Sequence, residues 1–399
     1  MICILYGAHC AHWATSSIPD WVSRNFYRRI TALTTLIFIV STVLLAQQRG
    51  ASSVGPDHPL WKVDLRSADL AKQPNLYESP LAFGFVGSDK LVVAWFVSHP
   101  APLPGSVESA TLKAVYVNAN TGKLQSNSEW MATSRPLAVH ITPSGHLLVR
   151  TGQTLRVFSP ELKPLQEQEF STPAVFGLTV SPDGARAMVC PASRDPSAAQ
   201  MLNTDTLQVL DTVPTIVRCG DYFLGNKSIL ALRSKDSEVF VRTSGEPWHA
   251  LSPLSPTSGM GRTRDVRFLN DSVIAVNSGY CSHSFSIQTI EGKTLSIVKL
   301  PEGRCWGGII TTSPGGQYFG VPEERLRGIK NETLDMYPFP SPEQFVVYRL
   351  PDIERIFRVK VEGISPWFPK QLVQKYALSP DGGRVAVMSN GVIRAYAVQ

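Results

Sequence analysis

Charged residues are scarce in this chain of 399 residues: they make up 18% of it, against about 25% in an average globular protein. Long blocks of one charge are absent, and 38 basic against 32 acidic residues leave a formal net charge of +6. Part of that surplus lies near the N-terminus, where Arg24, Arg28, Arg29 and Arg49 accompany one acid, Asp20. A chain that is 43% hydrophobic with so little net charge is not a disordered one. It also lacks a concentrated basic face, so we expect no nucleic-acid partner.

Signatures of catalysis are missing as well. The sequence has no G-x-S-x-G nucleophile elbow, no H-E-x-x-H zinc motif and no phosphate-binding G-x-x-x-x-G-K loop. We therefore assign no catalytic residue, no metal site and no cofactor from the sequence, and we lean against an enzyme.

One hydrophobic segment stands apart from the rest of the chain. Ile30 to Ala46 is uncharged over 17 residues and follows Arg24, Arg28 and Arg29. A basic region before an apolar core is the pattern of an export signal. The segment is either a signal anchor or a signal peptide cleaved after Ala46, and a buried core helix is a third reading. We favour the anchor, because Leu44 is a poor match to the small residue that precedes a cleavage site.

This reading divides the chain into a lead at 1–29, a hydrophobic helix at 30–46 and a folded part at 57–399. The basic residues would keep the lead in the cytoplasm and place the folded part outside the membrane. We thus expect a membrane-anchored, extracytoplasmic protein in the periplasm or at the cell exterior. The alternative is a secreted or periplasmic protein after cleavage of the signal.

Gly and Pro are plentiful, with 29 and 30 residues, and many of them stand in a repeated phrase. The sequence V-S-P-D-G at 180–184 returns as L-S-P-D-G at 378–382, with looser copies at 141–145 and 312–316 and degenerate ones at 85–95, 223–232 and 268–276. Pro presets the turn, Asp bonds its own backbone and Gly accepts positive φ, so each copy between its two apolar runs predicts a β-hairpin. Most successive copies are about 40 to 45 residues apart, the period of a four-stranded propeller blade.

Seven hairpins, all but the last followed by two further predicted strands, indicate an all-β, seven-bladed β-propeller. The last unit has only three strands, ending at Val392–Val398, and Trp61–Leu65 ahead of the first hairpin supplies a fourth. Pairing of these two segments would close the ring and remove an open sheet edge. The S-P-D-G hairpins resemble the WD40-like and YVTN-type β-propeller repeats of exported bacterial proteins. The Gly-His and Trp-Asp signature of true WD40 repeats is absent.

Long segments follow the second strand of a unit, at Val97–Ala110, Pro191–Ala199, Asn277–Ser284 and Val321–Gln344. We expect all four to reach one face, which would present a binding site. The polar residues on these predicted loops are the candidates for contact with a ligand or partner: His99, Arg194, Asp195, His283, Glu323, Glu324, Arg325 and Arg327.

Four cysteines lie in the predicted propeller. Cys190 and Cys281 each follow a second strand, and Cys219 and Cys305 each open the first strand of the next unit. Equivalent positions in two successive pairs suggest the disulfides 190–219 and 281–305, which suit an oxidising compartment. Four cysteines allow three connectivities, and four buried thiols are the alternative.

Together these features predict an exported β-propeller, tethered to the membrane through residues 30–46, that acts as a binding or scaffold module through its long-loop face. Its ligand, a protein or a small molecule, is not identified by the sequence. The alternative function is a propeller enzyme of the lactonase or amine-dehydrogenase-like kind.

Overall fold

The computed structural model shows short antiparallel strands joined by tight turns. It describes residues 58–68, 70, 81–99, 109–132, 137–170, 177–190, 198–218, 221–233, 238–251, 265–277, 283–301, 304–306, 310–325, 342–361, 374–389 and 391–398. All of these belong to the unit Val54–Gln399. Within these ranges no helix is long and apolar enough to span a membrane. The predicted lead at 1–29 and helix at 30–46 lie outside them.

The chain begins its described strands with β1 (Trp61–Asp64), which a single 3-10 turn at Arg66–Ala68 follows. The next three sheets, blades 1 to 3, each consist of four consecutive strands. Blade 1 has β2 (Leu81–Val86), β3 (Lys90–His99), β4 (Ser109–Asn118) and β5 (Leu124–Ala132). Blade 2 has β6 (Leu137–Ile141), β7 (Leu147–Thr151), β8 (Thr154–Phe158) and β9 (Pro164–Glu169). Blade 3 has β10 (Gly177–Val180), β11 (Arg186–Cys190), β12 (Ala199–Asn203) and β13 (Val209–Val213).

Blades 4 to 6 continue in the same order, and the first strand of blade 6 is split in two pieces that both pair with the second. Blade 4 has β14 (Tyr222–Leu224), β15 (Ser228–Arg233), β16 (Glu238–Thr243) and β17 (His249–Ala250). Blade 5 has β18 (Asp265–Phe268), β19 (Val273–Asn277), β20 (Ser284–Thr289) and β21 (Thr294–Lys299). Blade 6 has β22 (Arg304–Trp306), β23 (Thr311–Thr312), β24 (Tyr318–Arg325), β25 (Pro342–Arg349) and β26 (Glu354–Lys360).

Blade 7 closes the ring with strands from both ends of the propeller. It has β27 (Gln374–Leu378), β28 (Arg384–Ser389) and β29 (Val392–Ala397), and its fourth strand is β1. β1 pairs antiparallel with β29 in a register that sets Trp61 opposite Ala395 and Asp64 opposite Val392. The predicted closure is therefore confirmed, and a seven-bladed, all-β propeller results.

The apolar core of the described residues falls into seven clusters, one between each pair of neighbouring blades. The cluster between blades 7 and 1, for example, joins Ala386 and Ile393 to Leu91 and Trp95, all fully buried. The other six occupy the boundaries from blades 1–2 to blades 6–7. Each blade is thus buried on two faces by its neighbours, which explains the nearly continuous apolar runs of the second strands.

The S-P-D-G turns fold as their residues predict. In blade 3, Gly184 N donates to the Ser181 carbonyl oxygen over 2.8 Å, and Ala185 N donates to Asp183 Oδ1 over 3.0 Å. Gly184 has a φ of +76°, a conformation that favours glycine. The equivalent turn of blade 7 has the same bond from the amide of Gly382 to the Ser379 carbonyl oxygen, over 2.9 Å. These two turns join the first and second strands of their blades.

Candidate functional site

Four long connections join the second strand of a blade to its third. They span 100–108 in blade 1, 191–198 in blade 3, 278–283 in blade 5 and 326–341 in blade 6. Second strands run in the same direction in every blade, because each sheet is built in the same order. The four connections therefore leave from one end of the propeller, which we call the long-loop face.

Two of the predicted loops are shorter than the sequence indicated, because strands extend into them. β3 continues to His99, and β24 continues through Glu323 and Glu324 to Arg325. The residues of β24 pair on both sides, with Glu323 opposite Trp306 on β22 and Gln344 on β25. Proline and three charges in the sequence V-P-E-E-R argued for a loop, and the two partner strands override that preference.

Glu323 is fully buried inside blade 6, which corrects its predicted place on an exposed loop. Gln344 Nε2 donates a hydrogen bond to Glu323 Oε2, whereas Oε1 has no hydrogen-bond partner in the described part of the chain. Burial, together with the charge of Glu323, raises the pKa of Tyr348 above its ordinary value. Glu323 is therefore placed to hold β24 against β25 and not to contact a partner from solvent.

His283 links blades 5 and 6 at the start of β20. Its Nδ1 donates a hydrogen bond of 2.9 Å to the carbonyl oxygen of Arg304, and its own carbonyl oxygen accepts one of 2.8 Å from Leu300 N. The His283 residue is exposed. A neutral imidazole that donates through Nδ1 keeps Nε2 as an acceptor, so His283 can offer that atom to a ligand.

His99 ends β3 on blade 1, where its Nε2 lies 2.8 Å from Thr111 Oγ1 in a shared hydrogen bond. The structure does not bring the described candidates together, because His99, His283 and Glu323 belong to blades 1, 5 and 6. Of Glu324 and Arg325 only the backbone is described, in β24, and Arg194, Asp195 and Arg327 lie outside the described residues. In the described ranges, no group of three His, Cys, Asp or Glu side chains is placed to hold a metal ion.

The opposite end of the propeller carries the short turns between first and second strands, and we call it the turn face. Arginine side chains there form hydrogen bonds from one blade to the next. Arg186 Nη2 donates to the Gly225 carbonyl oxygen over 2.7 Å, joining blade 3 to blade 4. Arg384 Nη1 donates to the Ser88 carbonyl oxygen over 2.6 Å, joining blade 7 to blade 1. Both arginines stand two residues after the glycine of S-P-D-G. The extended repeat S-P-D-G-x-R is the sequence signal for these inter-blade bonds, which the S-P-D-G turn alone does not predict.

Further bonds connect other blades at the turn face. Thr142 Oγ1 donates to Asp205 Oδ1 over 2.6 Å between blades 2 and 3. Lys227 Nζ lies 2.8 Å from Asp271 Oδ2 between blades 4 and 5. Hydrogen bonds and an ion pair therefore link neighbouring blades at the turn face. The connections that vary most in length lie at the long-loop face.

Comparisons with known proteins found distant structural likenesses. No family model matches the sequence, and no curated protein matches it. The C-terminal WD40 domain of Sif2 has a TM-score of 0.48 and 10% identity, covering 87% of this chain and 99% of that one. The Pan2 WD40 domain of Neurospora crassa has a TM-score of 0.48 and 9% identity, over 86% and 97% of the chains. BamB of Moraxella catarrhalis has a TM-score of 0.39 and 13% identity, over 85% and 99%.

These likenesses are too distant to support any argument about activity or partners. The assignment of the fold rests on the seven sheets and on the strand that closes the ring. The chain is an all-β, seven-bladed propeller with a four-stranded sheet as its repeating unit.

Proposed function

We propose that this protein is an exported, membrane-tethered β-propeller that acts as a binding or scaffold module through its long-loop face. The observation that carries the proposal is the difference between the two ends of the propeller. Short turns and inter-blade bonds fix the turn face, while four connections of unequal length leave the other end. A rigid scaffold with variable loops at one end is how many binding proteins present a recognition surface.

The proposed partner contacts come from several blades, not from one cluster. His283 offers an exposed imidazole beside the connection of blade 5, and His99 ends the strand that leads into the connection of blade 1. Arg194, Asp195, Glu324, Arg325 and Arg327 complete the proposed contact set. A surface spread over separate blades suits a protein partner better than a small molecule, because protein interfaces bury about 800 Å² on each side.

Export through residues 30–46 is supported by the propeller cysteines. Cys190 is buried between blades 3 and 4. The cluster that contains Cys190 also contains Tyr222 and is lined by Val217, which flank Cys219 in the chain. We therefore propose the bridge 190–219.

A second bridge, 281–305, is supported by the contact between blades 5 and 6. The hydrogen bond from His283 to the Arg304 carbonyl oxygen holds the chain two residues after Cys281 against the chain one residue before Cys305. Disulfides are typical of exported proteins and rare in the cytosol of most organisms, so both bridges favour an extracytoplasmic propeller.

The partner proposal is tested by changing one end of the propeller at a time. Native envelope extracts would be cross-linked to the wild-type protein, to a variant with residues 328–339 replaced by a Gly-Ser linker, and to Lys227→Ala as the turn-face control. We expect the loop replacement to abolish cross-linking to a specific partner and Lys227→Ala to leave it intact. Equal cross-linking by all three proteins would contradict the long-loop face as the binding surface.

Export and tethering need a separate experiment. A reporter fused after Gln399 should be extracytoplasmic, and deletion of residues 24–46 should leave it in the cytoplasm. Mass spectrometry of the N-terminus then distinguishes the two forms of export. An intact N-terminus supports the membrane anchor. A mature protein that starts at Gln47 would show that residues 30–46 are a cleaved signal peptide and would contradict the membrane tether.

A further inference from the structure

The fourth, outer strand of a blade begins at the turn face. In blade 1, Ala119 N in the turn before β5 donates a hydrogen bond of 2.7 Å to the Asp89 carbonyl oxygen, in the turn between β2 and β3. In blade 3, Thr204 N makes the same link over 3.1 Å to the Ala185 carbonyl oxygen. The turns that lead into the outer strands therefore lie beside the short turns of the turn face, and the outer strands run from there toward the long-loop face.

Large aliphatic side chains are exposed at the turn-face end of the outer strand in four consecutive blades, 7, 1, 2 and 3. We call these residues the rim leucines, and their exposed fractions are 54% for Leu60, 49% for Leu124, 45% for Leu165 and 50% for Leu210. Leu60 directly precedes β1, and its amide donates to the Ala395 carbonyl oxygen of β29 over 2.7 Å. Single exposed leucines are ordinary, but a row of them on neighbouring blades marks a surface that contacts a protein or a membrane.

Exposed lysines accompany three of the rim leucines and favour a membrane over a protein. One lysine lies within two residues of the leucine in each of blades 7, 1 and 2: Lys62, Lys123 and Lys163. Lysine is depleted in protein interfaces. In a bilayer, by contrast, its methylene chain lies along apolar groups while the ammonium group reaches the phosphates. Leucines edged by lysines therefore match the boundary between the acyl chains and the headgroups of phospholipids.

The rim leucines occupy one arc of the propeller, because blades 4 and 6 differ from the others. Their outer strands carry exposed acids at the turn-face end, Glu246 before β17 and Glu354 at the start of β26. Leu295, at the corresponding place in blade 5, stands alone between these two blades. A flat surface of anionic phosphates would therefore meet the arc of blades 7, 1, 2 and 3 and be repelled by the acids of blades 4 and 6.

The chain also enters the propeller within this arc. β1 pairs antiparallel with β29, the third strand of blade 7, and so runs from the turn face toward the long-loop face. Residues 47–59 separate the proposed tether from Leu60 and span at most about 50 Å. A tether at residues 30–46 would hold the rim within that distance of the membrane. This step rests on the function proposed above, whereas the rim leucines and the lysines are independent of it.

We propose that the turn-face arc of blades 7, 1, 2 and 3 binds the surface of a phospholipid bilayer. The rim leucines insert among the acyl chains next to the headgroups, and Lys62, Lys123 and Lys163 contact lipid phosphates. Burial of the leucines stabilises the contact, and its strength increases with the share of anionic lipid. The long-loop face then points away from the membrane, where a partner can reach it.

Photocrosslinking of the full-length protein to lipid tests the rim leucines. The vesicles contain phosphatidylcholine, phosphatidylglycerol and a trace of phospholipid with a diazirine in its acyl chain, and mass spectrometry identifies the labelled peptides. We expect label on the rim around Leu60 and none around His283 at the long-loop face. The combined variant Leu124→Gln, Leu165→Gln and Leu210→Gln should lower the label at Leu60 by about 10-fold, because the contact loses apolar burial.

Met131→Gln is the matched control, since Met131 is exposed at the other end of β5 and should leave the label unchanged. All of the replaced side chains are exposed, so thermal denaturation should show that each variant keeps the stability of the wild type. Rim label in the leucine variant equal to that of the wild type would overturn the proposal.

The lysines are tested through the composition of the vesicles. Omission of phosphatidylglycerol should lower the rim label of the wild type by about 10-fold, because anionic lipid attracts lysines near the surface. The combined variant Lys123→Gln and Lys163→Gln should reduce this difference. The matched control is Lys299→Gln with Lys360→Gln, which removes two exposed lysines at the long-loop end of β21 and β26. An equal response of both variants to phosphatidylglycerol would contradict the role of the rim lysines.

Label on residues 30–46 reports the tether separately from the rim. Label on the rim without label on residues 30–46 would support the bilayer contact and contradict the tether. Label on residues 30–46 with none on the rim would leave the tether standing and overturn the bilayer contact. A rim that stays unlabelled in vesicles but cross-links to a protein in native envelopes would also overturn it and assign this surface to a protein partner.

Discussion

Trp61 Nε1 donates a hydrogen bond of 2.8 Å to the carbonyl oxygen of Ala119. The bond joins β1, the outer strand of blade 7, to the turn that follows β4 in blade 1, and both residues are buried. The strand that closes blade 7 is thereby fixed to the neighbouring blade as well. Ring closure therefore depends on a side-chain bond in addition to the ladder between β1 and β29.

Trp61→Phe should destabilise the propeller by about 1–3 kcal/mol, because the Ala119 carbonyl oxygen is left buried without its donor. Chemical denaturation measures the change in the free energy of unfolding. Trp248→Phe is the matched control, since Trp248 Nε1 donates over 3.0 Å to the Pro214 carbonyl oxygen at an exposed position where water can replace it. Equal losses in the two variants would argue against a special role of Trp61 in closure.

The two arginines of the turn face should each stabilise the propeller, one at the boundary of blades 7 and 1 and the other at the boundary of blades 3 and 4. We expect Arg384→Met and Arg186→Met each to lower the free energy of unfolding by about 1–2 kcal/mol, through loss of a charge-assisted hydrogen bond to a carbonyl oxygen of the next blade. Thermal denaturation of each variant and of the double variant checks this. The bonds lie at different blade boundaries, so their effects should add, and a clear departure from additivity would show that they are coupled.

Gly184→Ala should be more harmful than the usual glycine substitution in a turn. Besides its φ of +76°, an added Cβ would lie 2.6 Å from the Ile141 carbonyl oxygen of blade 2. Gly245 has a φ of +81° and no atom within 4 Å of such a Cβ, so Gly245→Ala reports the backbone strain alone. We expect Gly245→Ala to lower the free energy of unfolding by about 1–2 kcal/mol. Gly184→Ala should lower it by about 1–3 kcal/mol more, and denaturation measures both changes. Equal effects of the two substitutions would mean that blade 2 accommodates the added methyl group without a loss of stability.

Much of this fold could be predicted from the sequence because it repeats. The turn chemistry of S-P-D-G fixes a hairpin locally, and seven copies at the period of a blade leave few alternatives. The closing strand was also predictable, since the last unit lacked a fourth strand and Trp61–Asp64 would otherwise have been a strand without a partner. Local propensity and global architecture agree in these segments.

The surroundings of individual polar side chains were beyond the sequence. Glu323 reads as a loop residue because of its charged neighbours, and only pairing with β22 and β25 shows that it is buried. His140 reads as one polar residue in an apolar strand, and its relation to Lys375 depends on where two distant blades stand in the ring. Such contacts are non-local, and no periodicity in the chain encodes them.

The cysteine pairing gives a chemical prediction. If Cys190 pairs with Cys219, and Cys281 with Cys305, each bridge closes a loop of ~25–30 residues and contributes about 3–4 kcal/mol in the chain-entropy model. Reduction should then lower the melting temperature of the exported protein. Peptide mapping without reductant identifies the linked cysteines directly. A bond between Cys190 and Cys281, or four free thiols, would disprove the proposed pairing.

The buried imidazole of His140 should make the propeller less stable in mild acid. Burial, with the charge of Lys375, lowers its pKa in the folded protein to about 4 from the value of 6.5 that an exposed histidine has. Between these two pH values the unfolded chain binds the proton more readily than the folded one, so stability falls as the pH decreases from 6.5 to 4 and is retained above 6.5. For a pKa shift of this size, the free energy of unfolding falls by about 3 kcal/mol once His140 is fully protonated.

Denaturation of the wild-type protein and of His140→Gln at a series of pH values measures this contribution as the difference between two curves. The curves should run parallel above pH 6.5, and below it the wild type should lose stability relative to His140→Gln, because the variant has no proton to gain. His249→Gln is the control, since His249 is exposed on β17 and its removal should leave the wild-type curve unchanged. Lys375→Met should reduce the acid sensitivity, because removal of the neighbouring positive charge raises the pKa of His140. Wild-type acid sensitivity in His140→Gln would instead assign the effect to other groups.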